Sequence, residues 1–171
     1  KEEEKRFWMA EGVASFSRIV RDHQGDLNKL SERLVSEVVK YTESTQGALF
    51  LINEKDEKDK MLELVGAYAY DRQKFMNKSI QIGEGILGQV YLEGKTTLLA
   101  DVPNDYMNIT SGLGRALPKN VILVPLKANE DIQGVLELAS FNQYQEQHKE
   151  FLEKIGEITA SAVINAKTST Q

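Results

Sequence analysis

Gly83-Glu84-Gly85-Ile86-Leu87-Gly88-Gln89-Val90, residues 83–90, lies near the middle of the 171-residue chain and spaces three glycines in a pattern that has two interpretations. Glycine adopts positive φ angles without steric cost and lets backbones approach closely. The stretch can therefore be the phosphate-binding loop of a dinucleotide enzyme, or a tight turn that leads into a short helix. The segments on either side of it distinguish the two.

Those segments do not fit a dinucleotide-binding fold, although the glycines match Gly-x-Gly-x-x-Gly and Asp101 lies near the position of a ribose-binding acid. That fold needs a buried parallel strand before the glycines and a full-length helix after them. Here the preceding strand is only residues 79–82, and the helix predicted at 86–92 is closed by Gly94. We therefore expect a sharp turn that seats a short helix close against a sheet.

Most of the strands are expected to pair as hairpins. The first predicted strand is almost entirely apolar, so it should be buried on both faces, and the wholly charged residues 54–60 should form the solvated tip of its hairpin. A short polar loop joins the last two strands, which favours an antiparallel pair, and Pro125 indicates an edge or bulge position there. The predicted strands are residues 47–53, 61–70, 79–82, 95–101, 120–126 and 132–140.

Three longer helices are predicted at 2–22, 27–42 and 145–166, the second with Asp26 as its N-cap. The first has a wide apolar stripe that needs a packing partner. The stripe of the second can face a core or form a coiled coil, and that of the third has the spacing of a coiled-coil seam. Helices at both ends of hairpin-linked strands indicate an α+β domain around an antiparallel sheet.

Two blocks of this sequence resemble GAF domains. Residues 83–95 resemble the family signature and precede a strand that ends Ala100-Asp101-Val102, while residues 121–126 and 132–138 resemble the closing hairpin. The resemblance runs from about Leu27 to Ala166. It implies a six-stranded antiparallel sheet, with the N- and C-terminal helices on one face and short helices and loops over a pocket on the other. The division expected is a connector helix at 1–25 and a GAF-like domain at 26–171.

The resemblance also limits the classes of ligand that the pocket could bind. Many cyclic-nucleotide-binding members carry Asn-Lys-Phe-Asp-Glu at the start of the last helix, whereas residues 146–150 read Glu-Gln-His-Lys-Glu, which argues against cyclic nucleotides. The chain has no cysteine, which excludes thioether-linked bilins and the catalytic cysteine of methionine sulfoxide reductase members. A haem would need His23 or His148, and both are expected to be exposed on polar stretches.

The implied pocket would lie beneath the short helix, from which Leu87, Val90 and Tyr91 are expected to point inward. Aromatic side chains could stack on a planar ligand, although aromatics in strands more often belong to a core. Residues 111–115 could hold an anion through Arg115 and backbone N–H groups, or form a mobile lid. The candidate pocket residues are Tyr68, Tyr70, Phe75, Leu87, Val90, Tyr91, Asp101, Tyr106, Met107 and Arg115.

No catalytic residue, metal site or cofactor is predicted. The acidic loop residues have no spacing that would define a metal site or an acid–base pair. They are Asp101, Asp105, Glu130 and Asp131.

The composition limits the partners and the location. A net charge of −5 argues against nucleic acid and against anionic membrane surfaces. No apolar run approaches the roughly 20 residues needed to cross a bilayer, so direct membrane insertion is not expected. The first residues are charged and lack both an initiator Met and the features of a signal peptide, so the chain is interpreted as a piece of a longer protein.

We therefore expect a cytoplasmic, non-catalytic sensory domain of a signal-transduction protein, such as a two-component histidine kinase whose full chain could be membrane-anchored. It would bind an unidentified small molecule, form a homodimer through helices 2–42 and 145–166, and act on an output domain in the full-length chain. The alternatives are a purely structural dimerisation module without a ligand, and an enzyme.

Overall fold

The structure, a computed structural model, describes residues 1–53, 60–69, 79–101 and 119–169. Within these ranges the element order agrees with the order expected from the sequence. The helices are α1 (Glu2–Asp22), α2 (Leu27–Tyr41), α3 (Gly85–Glu93) and α4 (Glu146–Ser169). The strands are β1 (Gln46–Asn53), β2 (Met61–Tyr68), β3 (Ser79–Gln81), β4 (Thr97–Leu99), β5 (Asn120–Ala128) and β6 (Asp131–Ser140).

In the described part of the chain, six strands form one sheet in the order β3-β2-β1-β6-β5-β4, and every neighbouring pair is antiparallel. This confirms the six-stranded antiparallel sheet and the α+β class. β5 and β6 form the expected hairpin, whose tight turn includes Asn129 in the left-handed region at φ 57°. Most of the charged tip, residues 54–59, lies outside the described residues.

The sheet has two buried faces. The helix face carries α2 and α4, with α1 packed against both of them, and its core contains Leu34, Val38, Leu136 and Phe151. The opposite face, called here the α3 face, carries α3, which contacts β3, β5 and β6. Its buried residues are Ala48, Phe50, Ile52, Leu62, Leu87, Val90, Val121, Leu123, Val135 and Ala139. β1 is buried on both faces, as its apolar run predicted.

The apolar stripes of the helices pack against other elements of the same chain. Leu30, Leu34 and Val38 of α2 are buried in the helix-face core, so the core-facing interpretation of α2 is correct. Phe151 and Ile155 of α4 are also fully buried there, which means that this part of the expected coiled-coil seam packs inside the domain. The predicted N-cap is confirmed: the Asp26 carboxylate accepts hydrogen bonds from two backbone N–H groups of the first turn of α2, each at 3.1 Å.

An aromatic cluster fixes α1 to the rest of the domain. The Trp8 ring lies 4.9 Å from the ring centroids of both Tyr41 and Phe151, and it is nearly parallel to Tyr41. Phe16 contacts the same two rings edge-on, and the Tyr41 hydroxyl donates a hydrogen bond to the Trp8 carbonyl. These contacts provide the packing partner that the wide stripe of α1 required. Phe7, in contrast, is 70% exposed.

Pro125 lies where its missing N–H group is tolerated. It pairs with Val135 of β6, but β4 reaches only as far as Leu123 on the other side of β5. The register of the β5–β6 ladder then shifts between Leu126 and Lys127. Among the described strands, Pro125 thus has no ladder partner on that side of β5 and lies next to an irregularity, as its presence in the strand indicated. The helices described in the structure include none with the length and apolarity to cross a membrane.

Candidate functional site

The glycine stretch forms the turn and seat of α3. Gly83 and Gly85 adopt positive φ angles of 84° and 63°, which confirms the predicted reversal. Gly88 faces the end of β3 so closely that a Cβ atom there would lie 2.6 Å from the carbonyl oxygen of Gln81. Gly94 ends the helix in the left-handed conformation, with its N–H bonded to the Val90 carbonyl at 2.8 Å. These glycines hold α3 directly against the sheet.

The inner side of α3 is apolar. Leu87 and Val90 are buried against the α3 face, and Tyr91 packs beside them half-buried. All three point toward the sheet as the sequence suggested. The helix α3 contacts β3, β5 and β6.

Tyr68 lies on the other face of the sheet from the one expected. The ladder between β1 and β2 slips by one residue at Val65. Because successive side chains point to opposite faces, an extra residue moves everything beyond it to the other side. Leu64 therefore packs on the α3 face, whereas Tyr68 packs on the helix face, where its ring centroid is 5.8 Å from Lys40 Nζ.

The remaining candidates from the sequence divide into two groups. Asp101 is exposed, with φ at 53°, at the end of a described segment. The others lie outside the described residues, as does the stretch 111–115. They are Tyr70, Phe75, Tyr106, Met107 and Arg115.

Two polar side chains that the sequence analysis did not single out are buried on the α3 face. Glu137 of β6 is 4% exposed and lies directly between Ala48 of β1 and Leu123 of β5. Gln46 of β1 is 2% exposed and lies opposite Ala139 of β6. Their neighbours in the ladder all belong to the α3-face core, so both side chains share that face.

Gln46 and Glu137 occupy opposite corners of one square in the β1–β6 ladder. Gln46 and Glu137 are diagonal neighbours on adjacent strands, a relation in which long side chains can reach one another. The other two corners of the same square are Ala48 and Ala139. Gln46 and Glu137 are therefore the two long polar side chains of this square, and all four of its residues are buried.

Gln46 has an unsatisfied oxygen. Within the described residues, its Oε1 atom is shielded from solvent and has no hydrogen-bond partner. Leaving a buried acceptor unpaired costs about 1–3 kcal/mol. Native proteins rarely contain such groups without a structural or functional reason. The amide therefore marks a position where an N–H or O–H donor would be stabilising.

Glu137 contributes negative charge to the middle of the sheet. Its effect reaches Tyr144 on the helix face: burial raises the pKa of the Tyr144 hydroxyl above its ordinary value, the hydrogen bond to Ser44 opposes this, and the charge of Glu137 adds to the increase. Glu137 also has a partner within the chain. A charged residue inside an otherwise apolar strand was a signal that could have identified Glu137 from the sequence. No comparable signal marks Gln46.

A cavity of about 620 Å³ opens elsewhere, between the α3–β4 connection, the end of β5 and α4. Its walls mix lysines with glutamates, and the Thr96 hydroxyl there donates a hydrogen bond to Glu153 Oε2 at 2.6 Å. The lining residues are Gly94, Lys95, Thr96, Pro125, Lys127, Asn129, Lys149, Glu153 and Glu157. The sequence did not predict this cavity, because its walls come from three distant segments. Across the described ranges, no group of three or more potential metal ligands comes together.

The two histidines are half-buried rather than exposed. His23 Nδ1 is 2.8 Å from the Ile19 carbonyl oxygen. His148 packs edge-on against Trp8 and Tyr144, and its Nδ1 accepts a hydrogen bond from the Gln145 backbone N–H at 2.9 Å. Burial lowers the pKa of His148, and the charge of Glu43 partly opposes this. Both rings have local packing or hydrogen-bonding roles.

Comparison with known proteins gives a consistent family and fold. The family model described as GAF domain matches residues 24–163. A search of curated proteins finds no match.

Solved structures with a similar fold include the GAF domain of an Acinetobacter phosphoenolpyruvate-protein phosphotransferase, at 16% identity and TM-score 0.72, covering 91% of this chain and 94% of that one. Free methionine-R-sulfoxide reductase from Neisseria meningitidis, in complex with its substrate, is 19% identical with TM-score 0.70 and coverage of 94% and 91%. The A. aeolicus nlh2 GAF domain in an inactive state is 18% identical with TM-score 0.66 and coverage of 98% and 99%. At these identities the likeness establishes the fold.

Proposed function

The chain belongs to the GAF domain family, and we propose that it is a non-catalytic regulatory domain that binds a small molecule on the α3 face of the sheet. The observation that carries the proposal is the buried, unpaired Oε1 of Gln46 on the α3 face, close to Glu137. Apolar walls with a few convergent polar groups are the usual composition of a small-molecule site. The neighbours of Gln46 and Glu137 in the ladders, Ala48, Ala139 and Leu123, are apolar.

The proposal of a non-catalytic role rests on the side chains available. Among the proteins of similar fold are enzymes named methionine sulfoxide reductases. The resemblance of this chain to GAF domains implies that such members use a catalytic cysteine, and this chain has none. Thiol chemistry is therefore excluded here, and the buried pair Gln46 and Glu137 is better suited to hold a ligand than to reduce one.

The two faces of the sheet offer a route from ligand to output. β1 and β6 are the two central strands, and each alternates residues between the faces: Phe50 and Val135 lie on the α3 face, Leu49 and Leu136 on the helix face. A ligand that shifts these strands would change the packing of α2 and α4. α1 is joined to both by the aromatic cluster, so the change would reach the N-terminal helix. A ligand acts in this way only by binding one arrangement more tightly than the other.

In the full-length protein we propose that this domain is cytoplasmic, forms a homodimer through its terminal helices and controls an output domain such as a histidine kinase. The helical surfaces at 2–42 and 145–166 remain the proposed contact, and the exposed Phe7 of α1 is its most apolar feature in the described residues. Control by helix repacking is a common form of switch in which a local binding event biases a bistable element.

A thermal-shift screen of the purified chain tests the proposed function. The panel would contain nucleotides, amino acids, amines and aromatic acids. Binding to the folded state raises the melting temperature in proportion to the logarithm of ligand concentration over Kd, so at least one class should give a dose-dependent increase. Consistent silence across all classes would favour a structural module whose α3 face is filled by its own side chains.

A further inference from the structure

We infer that the cavity between the α3–β4 connection, β5 and α4 is a second binding site, and that its ligand is a small zwitterion with one ammonium and one carboxylate group. The site is separate from the one proposed on the α3 face, because neither Gln46 nor Glu137 lines the cavity. Its volume of about 620 Å³ lies within the range of about 300–1,000 Å³ that is usual for small-molecule pockets.

The walls of the cavity are fixed by close packing and by a hydrogen bond. Gly94 ends α3 on one side in the left-handed conformation. Gly156 brings α4 so close to β5 that a Cβ atom there would lie 3.0 Å from the Pro125 carbonyl oxygen. The Thr96 hydroxyl then joins the α3–β4 connection to Glu153 of α4. Three separate segments are thus held around one space, as in a pocket that is formed before its ligand binds.

The charges that line the cavity are divided between its walls. Glu153 and Glu157 are four residues apart and therefore lie on one side of α4. Lys95 and Lys127, in contrast, come from the α3–β4 connection and from β5. Lys127 Nζ lies 3.8 Å from the position that a Cβ atom would take at Gly94, where the C-terminus of α3 favours a cation. The carboxylates thus belong to the α4 wall, and these two ammonium groups belong to the others.

These opposite charges do not pair with one another. The ion pairs found among the described residues lie at α1 and α2, and none joins a lysine and a glutamate of the cavity. Lys149 of α4, the third lysine of the lining, and Lys127 are both partly buried. A ligand that brings a carboxylate to the lysines and an ammonium to the glutamates would supply charge-assisted hydrogen bonds to both sets at once.

A ligand with one sign of charge fits the cavity less well. A phosphate or a dicarboxylate would be attracted by the lysines but repelled by Glu153 and Glu157, and a diamine would meet the reverse problem. The ligand body has to be small or polar, because Pro125 is the one wholly apolar side chain among the described lining residues. Free polar amino acids and short polar peptides share this chemistry, and the experiment separates them.

Isothermal titration at low ionic strength tests the inference, because salt screens charges at partly exposed sites. The amino acids are L-glutamine and L-serine, and the peptides are L-alanyl-L-glutamine and glycyl-L-serine. Each is compared with its N-acetyl derivative, which lacks the ammonium charge, and with its C-terminal amide, which lacks the carboxylate. At least one zwitterion should bind about tenfold or more tightly than both of its derivatives. Whether amino acids or peptides bind more tightly identifies the source.

Two variants connect the binding to the two kinds of wall. Lys127→Gln and Glu157→Gln each remove one charge, and each should weaken zwitterion binding about tenfold. Lys127→Gln should not further weaken the C-terminal amide, and Glu157→Gln should not further weaken the N-acetyl compound. Each of these compounds already lacks the group that the altered side chain would hold, so this pattern separates direct contact from a general loss of structure.

Lys154→Gln and Glu150→Gln are the matched controls. Both residues are exposed on α4, and neither lines the cavity. The two variants make the same changes of charge on the same helix, so zwitterion affinity should be unchanged in both.

Three results would overturn the inference: derivatives that bind as tightly as the parent zwitterion, cavity variants that behave like the controls, or no binding by any zwitterion. None of these would remove the proposed function, which assigns its ligand to the α3 face. In the thermal-shift screen, a response that is lost in Lys127→Gln belongs to the cavity, and one that persists there belongs to the α3 face.

Discussion

Gly12 places the backbone of α1 against two aromatic rings. A Cβ atom at this position would lie 2.6 Å from ring carbons of both Phe151 and Tyr41, well inside normal contact distance. In an ordinary helix interior, Gly→Ala is stabilising by about 1 kcal/mol. Here we expect Gly12→Ala to reverse that sign and destabilise the domain by about 1–3 kcal/mol, because both rings pack against Trp8 and have little room to move. Chemical denaturation measures the change.

Gly25→Ala provides the control for this prediction. Gly25 lies between α1 and α2, has no atoms within 4 Å of its would-be Cβ, and does not adopt a positive φ. Its replacement should be neutral or slightly stabilising. If Gly12→Ala is as stable as Gly25→Ala, α1 is not seated on the rings in the way described.

His148 gives the domain a pH-dependent contribution to stability. Burial lowers the pKa of its ring below the ordinary value of 6.5, with partial opposition from Glu43. The unfolded chain therefore takes up a proton at higher pH than the folded protein does. The contribution is complete above about pH 6.5 and is lost as the pH falls below that value. Protonation would also remove the Nδ1 acceptor of the Gln145 N–H bond.

The expected result is a smaller loss of unfolding free energy in His148→Phe than in the unmodified protein when the pH is lowered from about 7.5 to 5.5. Phenylalanine keeps the ring contacts with Trp8 and Tyr144 and removes the titrating group. Equal losses in the two proteins would show that His148 does not carry this part of the pH dependence.

At the level of single residues, the sequence predicted backbone roles better than ligand contacts. Asp26 as an N-cap and Gly83 as a turn follow from local chemistry, and the structure confirms both. Gln46 could not be recognised, because its importance depends on an unpaired atom and on which face of β1 it occupies. Those properties arise only when β1 pairs with β6.

Among the elements, α3 depends most on one small residue. Gly88 allows the helix to contact the backbone of Gln81 and Gly83, and a methyl group would meet those backbone atoms at 2.6 and 2.8 Å. Gly88→Ala should therefore push α3 away from the sheet, destabilise the domain by about 1–3 kcal/mol and weaken any ligand response found in the thermal-shift screen. Melting temperatures with and without ligand measure both effects.

Leu92→Ala is the comparison on the same helix. Leu92 is among the exposed residues of α3, so its truncation should change stability by no more than about 0.5 kcal/mol. A Gly88→Ala protein that behaves like Leu92→Ala would contradict the close seat of α3.

The sequence predicted the ends of helices and strands well where an apolar periodicity extended over several turns or where turn-forming residues were present. The β5–β6 hairpin and the helices agree with expectation to within a few residues. The prediction that Tyr68 lies on the pocket side of the sheet was wrong, because one extra residue at Val65 reverses the alternation of side chains along β2. Nothing in the sequence of this apolar strand indicates a bulge at that point. The stripe of α4 was interpreted as a coiled-coil seam, but Phe151 and Ile155 face the core. A seam that faces its own core has the same spacing as one that faces a partner.

On the scale of the whole molecule, we assign ligand binding to one face of the sheet and signal output to the other. The α3 face holds the buried amide and carboxylate, and the helix face packs against the terminal helices α1, α2 and α4. Since β1 and β6 contribute core residues to both faces, neither face can be repacked without affecting the other. This shared core makes coupling between ligand and helices physically reasonable.

The proposed dimer would form through the helix surfaces that remain exposed in a single chain. The core-facing residues of α2 and α4 are already buried, so a partner has to use their outer surfaces or that of α1. Phe7 is 70% exposed on α1, one helical turn from charged residues that would keep the rest of the surface in water. Large aromatic side chains contribute strongly to interfaces when they become buried there.

We therefore expect the chain to sediment as a dimer, and Phe7→Glu to sediment as a monomer with an unchanged melting temperature, because an exposed residue contributes little to the fold of its own protomer. Sedimentation velocity over a range of concentrations measures the first property, and thermal denaturation of the monomer the second. Leu92→Glu is the control: it adds the same charge at an exposed apolar position on α3, across the sheet from α1, and should remain dimeric. A monomeric unmodified chain, or a Phe7→Glu protein that still dimerises, would remove α1 from the interface and with it the proposed route by which the ligand signal leaves the domain.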